Sequence, residues 1–261
     1  GSDTDKIELK NIIALHDLLM DKPHQWTFIF SGDFKGKTIV PVINTYLGSL
    51  PNNSLDSLVM GSPTIEPKVK KYSKQVYIQT KEKMLNAHLR QKFVLNVGES
   101  ISLKEEMESY LLAKIIETKL KKLRFENKRA VYLALSSNEI NLHKNQIILN
   151  IDVSVGQSDL NLIRKDLELI IEDLQQNNLE HNLYKKLIVD NLPAKFSNST
   201  SNKDIIKSLY RYNRYNLTPP NDEEIRDRIN QIENQSSKEL ARRYLNTANL
   251  INFVATNSND L

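Results

Sequence analysis

The chain has 261 residues, a formal charge of +4 and no cysteine. Its hydrophobic content of 39% and charged content of 26% suit one large domain, or one domain plus part of another, and exclude a disordered chain. The missing cysteines exclude disulfides, thiolate zinc sites and cysteine nucleophiles. No apolar run reaches about 18 residues, so no membrane span is expected. Acidic and basic residues alternate along helical segments instead of gathering in one basic stripe, so no nucleic-acid partner is expected. Gly1-Ser2 reads as a cloning remnant and the chain does not start with Met, so the expectation is a piece of a longer protein.

In chain order, Ile7 to Met20 has helical apolar spacing and stops at Asp21-Lys22-Pro23. Trp26 to Phe30 (WTFIF) predicts a buried strand and Ser31-Gly32-Asp33 a turn. Thr38 to Leu47 predicts a helix with Gly48 at its C-terminal cap. Residues 51–74, with Pro51, Pro63 and Pro67 and no sustained period, predict a linker and a domain boundary. The organisation expected is therefore 1–50 as the closing part of one repeat, 51–74 as linker and 75–261 as a further domain.

In that further domain, Val76 to Gln79 and Leu89 to Val97 predict strands, the second placing Leu89, Gln91, Phe93, Leu95 and Val97 on one face. Ser102 with Glu105 forms a capping-box pattern before a helix from Leu103 to Leu123. Val131 to Leu135 and Gln146 to Val155 predict two more strands, with Asn138 to Asn145 as the connection. Asp159 to Leu174 is an amphipathic helix that buries Leu160, Ile163, Leu167, Ile170, Ile171 and Leu174. Helical segments follow from Leu179 to Leu192, ended by Pro193, and from Lys203 to Tyr215, Asp222 to Ile232 and Ser236 to Leu245. Leu250 to Ala255 is a last strand. The order helix, break, strand recurs between Ile12–Asp33 and Lys238–Asp260, a weak internal echo.

Chemistry-bearing motifs are sparse. His16, His24, His88, His143 and His181 include no pair with the spacing a zinc helix needs. His181, beside Glu180 on a helix, reads as a solvated histidine. Glu105, Glu106 and Glu108 cap and solvate a helix start. Ser136-Ser137 lacks a nucleophile elbow. Tyr210, Arg211, Tyr212, Arg214 and Tyr215 alternate aromatic and basic groups, which favours Tyr packed inward and Arg snorkelling outward over a stacking platform. The stretch Leu120–Tyr132 (LKKLRFENKRAVY) stands out. Arg124 offers a planar fork of donors to a carbonyl or carboxylate, and Tyr132 a phenol donor. The same residues also read as a basic helix end that suits the macrodipole, followed by an ordinary strand Tyr.

The segment WTFIFSGDFKGKTIVPVINTYLGSLP, with its ending Tyr46-Leu47-Gly48-Ser49-Leu50-Pro51, resembles the closing strand, turn and helix of a domain of the insulinase/pitrilysin zinc metallopeptidases. The remainder is similar to the last domain of such a protein. The resemblance implies an α+β fold, a mixed, largely antiparallel sheet with helices packed on one face (the LuxS/MPP-like metallohydrolase fold). It implies two bowl-shaped halves around a chamber for peptide substrate. The zinc site, an inverted His-x-x-Glu-His, is expected in the N-terminal catalytic half of the parent protein, which would be this chain's partner, and no cofactor is expected in this piece. It further implies that Arg124 and Tyr132 match the family's substrate-holding pair. The family spaces that pair seven positions apart and keeps a glycine between, whereas here the gap is eight and Asn127, Lys128 and Arg129 occupy the loop. A one-residue slip in a strand turns the side chain to the other face. The chain alone is expected not to hydrolyse peptides. The second reading is a pure scaffold, like the family's inactive subunits. The compartment stays open, with periplasm or cell envelope preferred to cytoplasm.

Overall fold

The structure, a computed structural model, describes residues 7–20, 23, 26–50, 74–79, 84–98, 100–125, 130–196, 201–215 and 217–257. Its elements in order are α1 (Leu9–Met20), α2 (Gly36–Tyr46), β1 (Lys74–Gln79), β2 (Asn86–Asn96), α3 (Leu103–Phe125), β3 (Val131–Asn141) and β4 (Gln146–Gly156). There follow α4 (Leu160–Gln176), α5 (His181–Phe196), α6 (Asn202–Arg214), α7 (Asp222–Glu233), α8 (Ser237–Tyr244) and β5 (Leu250–Thr256). The chain divides into two compact units, one of residues 1–66 and 199–219, the other of 67–198 and 220–261. The linker expected over residues 51–74 falls outside the described residues except for its last position.

The first unit holds α1, α2 and α6. Ser31 Oγ donates to Asn202 Oδ1 at 2.9 Å, joining the expected turn to the start of α6. Trp26 to Phe30 is not a strand: it belongs to no ladder among the described residues, and Trp26, Phe28 and Phe30 are exposed. A strand exists only where another supplies its hydrogen bonds, and aromatic and β-branched content cannot provide that neighbour. Gly48 follows α2 but has no positive φ. Its reason is space, because a Cβ there would lie 2.4 Å from the Asn44 carbonyl oxygen. The Tyr-Arg run of α6 departs from the expected packing. Tyr210 is exposed, its hydroxyl accepts from Arg214, and the Arg214 guanidinium lies over the Tyr210 and Tyr215 rings at 5.7 and 5.8 Å.

The second unit is a five-stranded sheet in the order β1-β5-β2-β4-β3. Only β1 and β5 run parallel; the other neighbours are antiparallel. Along β4, Ile147, Leu149, Ile151, Val153 and Val155 are all buried, as the two-residue period of a strand with one covered face requires. Leu89 and Phe93 of β2 and Val131 of β3 join them from the neighbouring strands. β3 extends to Asn141, well past the expected end at Leu135, because it pairs with β4 almost along its whole length. The connection shrinks to a tight turn in which Asn145 takes a φ of 47°, a left-handed conformation that Asn tolerates.

α3 lies under the sheet, and the apolar faces of α4, α5, α7 and α8 close around it. Met107, Leu111, Leu112, Ile115, Ile116 and Leu120 are essentially inaccessible, each contributing about 1.5–3 kcal/mol by burial. The capping box is formed: Ser102 Oγ accepts from the Glu105 amide and Glu105 Oε2 accepts from the Ser102 amide. α7 and α8 have capping boxes of the same kind at Asn221 and Ser236. Glu108 is fully buried inside α3, yet it is partnered: Tyr244 Oη donates to it at 2.7 Å, Arg243 at 3.2 Å, and Lys104 lies at 3.6 Å. Burial first, and the Glu108 carboxylate second, push the Tyr244 hydroxyl well above its ordinary range. The Tyr244 phenol therefore keeps its proton, donates it to Glu108 and clasps α8 to the start of α3. Pro193 does not end α5, which continues to Phe196. The amide it lacks would have reached the carbonyl of Val189, a residue 66% exposed, where water can take that bond.

Candidate functional site

No described helix of the second unit packs on the second face of its sheet. The strand registers set its side chains out as a grid. Ala255, His88, Ser154 and Leu133 form one row across β5, β2, β4 and β3. Phe253, Arg90, Asp152 and Leu135 form the next, and Ile251, Lys92, Asn150 and Ser137 the third. Apolar groups lie at both sides and charges along the middle. The face holds a groove of about 640 Å³ lined by His88, Arg90, Lys92, Leu133, Asp152 and Phe253 among others.

The groove's electrostatics are uneven. Arg90 Nε donates to Asp152 Oδ1, which uses one cation and the groove's acid on each other. Among the described residues His88 and Lys92 have no hydrogen-bond or ion-pair partner, so Lys92 leaves a surplus of positive charge. Leu133 and Leu135, on the edge strand β3, remain 44% and 47% exposed.

Tyr132 sits at the edge of this face on a β-bulge. Val131 pairs with Val155 and Leu133 with Ser154, so β3 spends two steps where β4 spends one, and Tyr132 is the extra residue. Val131 points into the core, while Tyr132 is 59% exposed. The strand start is pinned from both sides: the Asp159 carboxylate accepts from the Ala130 amide at 2.8 Å, and the Ala130 carbonyl accepts from the Gly156 amide at 2.9 Å. A bulge absorbs one residue without turning the rest of the strand over. Arg124 is in the last turn of α3; its side chain and residues 126–129 lie outside the described residues.

Among the described residues no three His, Asp or Glu side chains come together as metal ligands. His16 contacts Asp17 at 3.1 Å on exposed α1, His181 begins α5, and His24 lies outside the described residues. The described residues do not fit a zinc site. Among the described residues no helix is long and apolar enough to cross a membrane. The basic positions of the groove had a legible signal in the sequence: His88-x-Arg90-x-Lys92 places a base at every second residue of a strand. The apolar residues between them defined the core face and drew attention away from it.

The fold is that of the M16 proteases. No protein-family model matches the sequence, and no curated protein does. Solved structures do. A protease from Helicobacter pylori matches with a TM-score of 0.68 at 13% identity, over 86% of this chain and 53% of that one. The first half of the periplasmic protease PqqL from Escherichia coli matches with a TM-score of 0.65 at 13% identity, over 87% of this chain and 50% of that one. Pitrilysin matches with a TM-score of 0.64 at 14% identity, over 99% of this chain and 27% of that one. The chain thus spans about half the length of the first two and about a quarter of pitrilysin. At these identities the likeness is one of fold.

Proposed function

We propose that this chain is a non-catalytic, C-terminal part of an M16-type zinc endopeptidase, where it forms part of the substrate chamber wall and holds peptide near zinc supplied by the N-terminal half. The observation that supports this reading is the open face of the sheet, backed by the α3 core, with a groove edged by Leu133 and Leu135; Tyr132, which is exposed, precedes Leu133 on the same strand. Zinc, bound elsewhere in the parent protein, would polarise the scissile carbonyl. The part played by this chain's own residues is binding and orientation. The Tyr132 phenol donates to a peptide carbonyl, Arg124 offers a second donor fork, and the apolar rims of the groove exclude water from the peptide's side chains.

Fluorescence anisotropy with labelled unstructured peptides tests this. The 261-residue protein binds them, Tyr132→Ala and Leu135→Asp weaken binding severalfold, and Leu169→Ala on the exposed side of α4 leaves it unchanged. Equal binding by all variants, or zinc-dependent hydrolysis by this chain alone, would overturn the proposal. Undiminished hydrolysis by the parent protein carrying Arg124→Ala and Tyr132→Ala would favour a pure scaffold.

A further inference from the structure

We propose that the groove selects extended peptides with an acidic side chain midway between two apolar ones, and that Asp152 tunes this preference by holding Arg90. The inference rests on the reading of the groove as peptide-holding and adds its substrate class.

Three observations carry it. The first is charge. Three successive β2 residues on this face, His88, Arg90 and Lys92, are basic, and among the residues lining the groove Asp152 is the sole acid. Arg90 is already paired to Asp152, whereas Lys92 has no partner among the described residues, so the unanswered charge is positive. An anionic side chain is the group that complements it. The second is the layout of apolar groups. Phe253 and Leu135 close the two ends of the row that contains Arg90 and Asp152. Three strand spacings separate them, about 14 Å. An extended peptide rises about 3.3–3.4 Å per residue and points residues i, i+2 and i+4 to one side, so its first and third such side chains also stand about 14 Å apart. An apolar-x-acid-x-apolar peptide laid across the strands therefore sets its ends on Phe253 and Leu135 and its acid between Arg90 and Asp152, one row from Lys92. The third is the state of Asp152, a quarter exposed and engaged by Arg90 on one oxygen. It neutralises one cation and leaves Lys92 as the anchor.

The test uses short fluorescein-labelled peptides of that pattern with Glu, Gln or Lys at the centre, and the 261-residue protein. The Glu peptide binds about three- to tenfold more tightly than the Lys peptide, and added salt narrows the gap. Lys92→Glu abolishes or reverses the order, and Lys92→Gln removes most of it. Asp152→Asn tightens the Glu peptide, because Arg90 becomes free to bind it; a merely structural Asp152 would give no gain. Circular dichroism melts confirm that each variant is folded. Binding of all three peptides with equal affinity, or weakened Glu-peptide binding in folded Asp152→Asn, would overturn this inference while leaving the peptide-holding role intact. Failure of every peptide to bind would overturn both.

Discussion

The two faces of the sheet are built from the same strands and carry opposite chemistry. On the helix side, Ile147, Leu149, Ile151, Val153 and Val155 of β4 meet α3 and α4 and are lost to solvent. On the other, Asp152 pairs with Arg90, and Leu133 and Leu135 keep nearly half their surface. The difference teaches where stability and recognition are separated in this molecule. One face supplies the free energy that holds the strands in register. The other can therefore carry charge and bare leucine at little cost, which is what a binding surface needs.

Substitutions on the two faces sharpen this contrast. Ile151→Ala opens a cavity under the centre of the sheet and is expected to cost about 2–5 kcal/mol, read as a lower urea midpoint. A loss below 1 kcal/mol would mean that the helix side does not hold the fold. Gln91 and Ser136 are polar exceptions on that side: both are buried, and neither Gln91 Oε1 nor Ser136 Oγ has a hydrogen-bond partner among the described residues. Gln91→Leu is expected to stabilise by about 1 kcal/mol, since an unpaired buried acceptor is removed and volume is kept. Destabilisation would show that a buried water satisfies that oxygen. Leu135→Ser on the open face is expected to shift stability by no more than about 0.5 kcal/mol, while weakening peptide binding by anisotropy. A large loss of stability there would show that the open face is part of the core after all.

Much of the second unit was legible. The helical period of Leu160, Ile163, Leu167, Ile171 and Leu174 and the Ser102–Glu105 capping pattern are local signals, and each appears in the structure. So does the alternation of Leu89, Gln91 and Phe93 on the core side. Legibility failed where a partner decides the outcome. Trp26–Phe30 has strand composition but no neighbour among the described residues. β3 outran its apolar stretch because β4 pairs with Ser136, Ser137 and Asn138 as readily as with Leu135. Backbone hydrogen bonds do not depend on side-chain polarity.

Of the stretch Leu120–Tyr132, the sequence by itself determined that a helix ends in basic residues and that a strand follows. It also determined the two-residue period that separates His88, Arg90 and Lys92 from Leu89, Gln91 and Phe93. Only the tertiary structure decided which of those two sets is covered, since α3 and α4 can pack on one face alone. It also decided that β3 begins with a bulge at Tyr132, because register is a property of two strands and not of one.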